Sequence, residues 1–161
     1  MEPVLAWLEG SALGHAIRAS GVWTYATLNL AHILGVSSLF GAVLALDLRL
    51  LGLWRTVPLG ALARPVVPIA TTAFCIAAAS GICMLSTNGT EYAGNPYLPI
   101  KFAAIAGGVV NVAIVSRLSA WKGRDAGPLE TRGERQLAIA GGISLVCWFT
   151  AVSAGRMIAY W

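Results

Sequence analysis

Four long apolar stretches limit what this chain can fold into. In the 161-residue sequence they lie at about 22–46, 66–86, 99–118 and 137–158. Each is long enough for a helix that crosses the hydrocarbon core of a bilayer, which takes about 20 residues. Only 11% of the residues are charged, against about 25% in a typical soluble domain. The sequence therefore predicts an all-α fold, with one integral membrane domain over residues 1–161 and the bilayer as its surroundings.

The connections between these stretches predict how the four helices are arranged. Short links favour antiparallel neighbours, so we expect an up-down-up-down four-helix bundle. Ahead of the bundle, residues 3–19 mix apolar side chains with two charged ones, Glu9 and Arg18, and are too polar to cross a membrane. This composition is typical of an amphipathic helix that lies in the membrane interface. The predicted fold is thus an antiparallel membrane-spanning bundle preceded by an interfacial helix.

Basic residues predict the orientation of the bundle. Eight of the eleven lie in the links between the first two stretches and between the last two, namely Arg49, Arg55, Arg64, Arg117, Lys122, Arg124, Arg132 and Arg135. Positively charged loops stay on the cytoplasmic side, which places both termini outside. The net charge of +4 is accounted for by this topology, so no nucleic-acid partner is expected. At the inner end of the first stretch, we expect Asp47 to pair with a basic residue such as Arg117.

The polar residue that stands out is His32, because it lies within an apolar run, from Gly21 to Leu46, that contains no charged residue. An ionisable group at membrane depth is costly and by default marks a functional site. Counting inward from the predicted outer ends of the stretches places Cys75, Asn111 and Cys147 near the same depth. We therefore expect one polar layer at mid-membrane.

Three interpretations of His32 remain open. It can be a structural histidine bonded to Asn111 or to a backbone carbonyl of a neighbouring helix. It can be an axial ligand of haem b, since imidazole is a common haem ligand and Gly35, one turn away, would leave room for the flat macrocycle. It can also bind copper(I), together with a soft sulfur ligand. The candidate sulfur ligands are Met84, Met157, Cys75 and Cys147.

Haem binding would involve further residues and a partner. Lys101 and Arg156 lie near the outer ends of their stretches, where they would hold the propionates, and Asn111 completes the candidate cofactor site. The chain has two histidines, and the second, His15, belongs to the interfacial segment. A haem with two histidine ligands would thus need a second chain. We expect a homo-oligomer or a larger membrane complex.

Several motifs carry a resemblance to known proteins. They are LAHILG at 30–35, LDLRLLG at 46–52, and GRMIAY at 155–160. The chain resembles a family of small bacterial four-helix inner-membrane proteins catalogued as a domain of unknown function. It is more weakly similar to copper-resistance D-type and cytochrome b-like membrane proteins. These resemblances imply the cytoplasmic membrane of a bacterium and are consistent with a cofactor in the bundle.

The motifs of several enzyme classes are missing from the sequence, which lacks H-E-x-x-H, Walker A and G-x-S-x-G patterns. The sequence therefore favours a haem-b-binding electron-transfer protein, or a subunit of a membrane redox complex. Two alternatives stay open: a cofactor-free accessory or anchoring subunit of a larger membrane complex, and a copper-handling protein.

Overall fold

The computed structural model describes residues 1–127 and 130–161, and these form helices and loops without a strand. This confirms the predicted all-α fold. The α-helices are α1 (Glu2–Glu9), α2 (Ala12–Ala19), α3 (Val22–Leu50), α4 (Leu59–Asn88), α5 (Tyr97–Val115), α6 (Ser119–Lys122) and α7 (Thr131–Met157). Short 3₁₀ turns follow α4 at Gly89–Tyr92 and α7 at Ile158–Tyr160.

Four of these helices, α3, α4, α5 and α7, are long and apolar enough to cross a membrane. They match the four predicted stretches and indicate a multi-pass membrane protein. The largest difference in boundary is at α4, which begins at Leu59 rather than near residue 66 and continues through Pro65 and Pro68. Prolines are tolerated in membrane helices because neighbouring groups satisfy the freed backbone carbonyls.

The four long helices pack in the order α4, α3, α7, α5. Helix α3 contacts α4 on one side and α7 on the other, and α7 contacts α5. The two helices of each of these three pairs run antiparallel, as predicted. The expectation that successive helices are neighbours is wrong for α4 and α5, which make almost no direct contact. The bundle is consequently open between α4 and α5.

Glycines allow the closest contacts between these helices. A Cβ atom added at Gly35 on α3 would lie 2.9 Å from the backbone nitrogen of Ala77 and 3.1 Å from the Ala73 carbonyl oxygen on α4. On α5, a Cβ at Gly108 would lie 3.0 Å from the indole of Trp148 on α7. Small residues at such seams drive helix association in lipid, where apolar burial alone gives no advantage.

The N-terminal segment is two helices, so the prediction of one helix over residues 3–19 is wrong. The chain turns after Gly10, and Ser11 then caps α2 by accepting a hydrogen bond from the backbone N–H of Gly14 at 3.3 Å. Arg18 at the end of α2 donates to the carbonyl oxygens of Ser86 and Thr87, at 3.2 and 3.0 Å. The last carbonyls of a helix have no partner within it, so Arg18 caps α4 and fixes α2 at its outer end.

A second contact holds α1 against the turn after α4. The carboxylate of Glu9 accepts hydrogen bonds from the backbone N–H and the hydroxyl of Thr90, at 2.7 and 2.8 Å. Both bonds favour the ionised carboxylate, and they lower the pKa of Glu9 below its ordinary value. The N-terminal helices therefore dock at the C-terminal end of α4, each through a polar residue near its own C-terminal end.

Candidate functional site

The imidazole of His32 is held by α4. Its Nδ1 atom lies 2.8 Å from the carbonyl oxygen of Ala77 and 3.2 Å from the hydroxyl of Ser80. Because a carbonyl oxygen only accepts, Nδ1 carries the proton and donates to Ala77. Ser80 in turn donates to the carbonyl of Ile76 at 2.6 Å. A structural His32 is expected to bond either Asn111 or a backbone carbonyl of a neighbouring helix. The bond to a backbone carbonyl is confirmed, and the expected bond to Asn111 is wrong.

The tautomer set by this bond leaves Nε2 with a free lone pair in the neutral ring. Among the described residues, none lies within hydrogen-bond distance of Nε2, and the side chain is only half-buried. A donated Nδ1–H bond to a carbonyl is the usual arrangement behind a histidine that binds a metal through Nε2. The site can therefore offer one oriented nitrogen ligand.

Glycine makes room for the ring on α4. A Cβ atom at Gly81 would lie 3.0 Å from Cε1 and 3.3 Å from Nδ1 of His32. The role expected for Gly35 is wrong, because the backbone of α4 occupies the space beside it and leaves none for a macrocycle. A flat cofactor on Nε2 would have to lie outside the α3–α4 seam.

The two outer basic residues lie in different surroundings. Lys101 on α5 is half-buried, and its side chain passes over Gly155, where an added Cβ would lie 3.4 Å from Nζ. Arg156 is exposed, hydrogen-bonds the hydroxyl of Tyr160 and stacks over that ring at 4.7 Å. The structure thus places Lys101 against Gly155 of α7 and engages Arg156 with Tyr160.

Asn111 does not share a layer with His32. Its side-chain amide is buried and donates to the carbonyl of Ala140 at 3.0 Å. Trp148, the neighbour of Cys147 in the chain, packs against Leu39 and Ala73, and Leu39 lies seven residues, about 10 Å, beyond His32 along α3. The predicted single polar layer is therefore wrong, because α5 and α7 sit deeper relative to α3 than their predicted ends imply.

The soft ligands are also dispersed. Cys75 is exposed on the surface of the bundle, and Cys147 lies against Gly107, where an added Cβ would be 3.2 Å from Sγ. Met84 is half-buried on α4, one turn beyond Ser80. Within the described ranges, no three His, Cys, Asp or Glu side chains come together as a metal site.

A second polar site lies in the half of the bundle predicted to be cytoplasmic, in a cavity of about 330 Å³ that is lined by residues of α3, α4, α5 and α7 and is open between α4 and α5. Its walls are mostly apolar. The polar side chains that line it are Asp47, Thr71, Asn111, Ser116 and Ser144. Sequence reasoning missed this cavity because it forms where α4 and α5 fail to pack.

Asp47 is the charged residue of the cavity wall and is only 4% exposed. Its Oδ2 atom has no hydrogen-bond partner among the residues that the structure describes, and Ser144 lies beside the carboxyl on α7. The ion pair expected with Arg117 is wrong. Between described residues the structure contains one ion pair, Arg64 with Asp125 at 3.2 Å.

Comparison of the chain with protein-family models, with curated proteins and with solved structures finds no match. The function of the chain must therefore be inferred from the geometry of the two sites.

Proposed function

We propose that this chain is a haem-b-binding electron-transfer protein of a bacterial cytoplasmic membrane, or a subunit of a membrane redox complex, with both termini outside. His32 would be the axial ligand through Nε2. The observation that supports this most is the 2.8 Å bond from Nδ1 to the Ala77 carbonyl. It selects the tautomer that an axial histidine needs and holds the ring in place.

The residues around His32 fit a bound haem in part. Lys101, half-buried on α5, would pair with one propionate, while Arg156 would meet the second propionate only after leaving Tyr160. Asn111 takes no part, since its amide is bound to α7. When bound, the haem supplies one-electron redox chemistry. The chain supplies the oriented nitrogen, the low-polarity surroundings and a positive charge.

The position of His32 also bears on oligomeric state. Because α4 fills the groove at Gly35, the haem plane would face away from the α3–α4 seam. His15 lies on α2 with its Nδ1 atom 3.4 Å from the Arg18 guanidinium, so it would not complete the coordination. The sixth ligand would come from His32 of a second copy, from another subunit, or more weakly from Met84. The first two sources would require a homo-oligomer or a larger membrane complex.

The second candidate function is a cofactor-free accessory or anchoring subunit. The same bond between His32 and Ala77 favours it, because a polar side chain bonded across a helix pair stabilises a membrane bundle by itself. A copper-handling role with His32 and Met84 is the third candidate, and it would require the two side chains to share one ion.

Titration with haemin separates these candidates. We expect the detergent-purified protein to bind haemin saturably, with a Soret shift that His32→Ala abolishes and the matched variant His15→Ala retains. Added imidazole should restore the shift in His32→Gly, which would show that the variant is folded and lacks only the ligand. No saturable binding by the wild type, or equal binding by His32→Ala, would overturn the haem proposal. Copper(I) retention that depends on His32 and Met84 would then support the copper role.

A further inference from the structure

We propose that the inner cavity binds a lipophilic organic cation and that the Asp47 carboxylate is its counter-ion. This inference does not depend on haem binding at His32. Asp47 lies fifteen residues further along α3, about 22 Å away at helical rise. The two sites are therefore separate and can be tested separately.

The shape of the cavity suits a small apolar molecule. Its volume of about 330 Å³ lies at the lower end of the range of small-molecule sites, about 300–1,000 Å³. Aliphatic and aromatic side chains of all four long helices form its walls, among them Leu39, Val67, Phe74, Val109 and Trp148. Since α4 and α5 barely touch, a ligand dissolved in the bilayer can enter between them.

The charge of the cavity comes from Asp47. Asp47 is only 4% exposed and one of its carboxyl oxygens is unpartnered among the described residues; a carboxylate in such a place is costly unless a proton or a cation compensates its charge. Two arginines at the same end of the bundle are engaged elsewhere: Arg49 donates to the carbonyl of Val57 at 2.7 Å, and Arg64 pairs with Asp125 at 3.2 Å. The amide donor of Asn111 is used by Ala140. A bound cation would supply the missing partner.

Aromatic rings in the wall add to the preference for a cation. Trp148 packs edge-on to Phe74 with ring centroids 6.0 Å apart, and both line the cavity together with Trp121. The faces of such rings attract cations, most strongly where water is excluded. An anion of the same shape would meet the Asp47 charge instead, and a neutral molecule would leave that carboxylate without a counter-ion.

Two probes of the same shape and opposite charge test the proposal, tetraphenylphosphonium and tetraphenylborate. Binding is measured by titration calorimetry and tryptophan quenching on the full chain in detergent, with protein-free micelles as the blank. We expect saturable binding of the phosphonium ion, at least tenfold weaker binding in Asp47→Asn, and no saturable binding of the borate. Gly41→Ala is the matched control on α3, because a Cβ there meets no atom within 4 Å, and it should bind the phosphonium ion as the wild type does.

A second variant tests the proposal independently in case Asp47→Asn does not fold. Val112→Trp fills the cavity from α5 at a position that is 56% exposed, so it should fold and still lose phosphonium binding. Equal binding of both ions by the wild type would overturn the proposal. So would undiminished phosphonium binding in a folded Asp47→Asn. If phosphonium binding is confirmed and haemin binding fails, the cavity proposal stands and the haem proposal does not.

Discussion

Replacing Gly35 with Ala should separate α3 from α4 and destabilise the protein. The new Cβ would lie 2.9 Å from the backbone nitrogen of Ala77 and 3.1 Å from the carbonyl oxygen of Ala73, where ordinary contacts are 3.4–4 Å. Both neighbours are backbone atoms, so no side chain can rotate away. The two helices must therefore move apart by about half an ångström, which forfeits roughly a quarter to a half of the attraction of each contact along the seam.

The expected cost follows from this overpacking. Inserting one methyl group into a well-packed contact costs about 1–3 kcal/mol, and here the 2.8 Å bond from His32 to Ala77 is stretched as well. Alanine also favours a helix over glycine by up to about 1 kcal/mol, which partly offsets the loss. Gly41→Ala on the same helix measures this gain in helix propensity alone, because a Cβ there meets no atom within 4 Å.

The comparison of the two variants isolates the helix contact. Thermal unfolding in detergent, followed by tryptophan fluorescence, should give a lower midpoint for Gly35→Ala than for Gly41→Ala. A difference of about 1–3 kcal/mol corresponds to about 3–10 °C for a chain of this size. Equal midpoints, or a more stable Gly35→Ala, would refute the close approach of α3 and α4 at this position.

Three further outcomes are expected. Gly81→Ala, whose Cβ would lie 3.0 Å from Cε1 of His32, should weaken haemin binding about 10- to 100-fold, the usual cost of losing a ligand's supporting contacts; unchanged affinity would contradict the proposed ring position. Asp47→Leu should raise the thermal midpoint of the ligand-free protein by removing an unpartnered buried carboxyl, a gain of about 1–3 kcal/mol, whereas a lower midpoint would mean that the carboxyl is satisfied. Docking of α1 should be fully stabilised by Glu9 above its ordinary pKa of 4.5 and lost as the pH falls through its lowered pKa. Hydrogen exchange in α1 should report this loss, and Glu9→Gln or Thr90→Val should flatten the pH dependence.

The number and approximate position of the long helices could be predicted because a membrane accepts few alternatives. Every backbone polar group within lipid must be satisfied inside its own helix, so length and apolarity suffice to recognise a span. The hydrogen bond from His32 to a neighbouring helix could also be predicted, since a backbone carbonyl of such a helix is a common partner of a buried histidine. The break at Gly10 and Ser11 had a local signal as well, a glycine followed by a residue that commonly caps helices.

The inner site could not be predicted because it depends on which helices touch and at what depth. Chain order suggested that α4 packs on α5, and the open side between them is what creates the cavity around Asp47. Trp148 lies at the same depth as Leu39 because α7 is shifted along the axis of α3. The predicted ends of the spans carry no information on that shift. A one-dimensional pattern therefore identified Asp47 as a polar residue but assigned it the wrong partner.

The most direct test of the central claim is the absorption spectrum of the full chain as purified from bacterial membranes, oxidised and then reduced with dithionite. The account predicts about one haem b per chain, or one shared by two chains. Its Soret band should sharpen on reduction and be absent from His32→Ala purified in parallel. A colourless wild-type protein from cells supplied with haem, folded by its thermal transition, would contradict the claim and leave His32 as a bond between two helices.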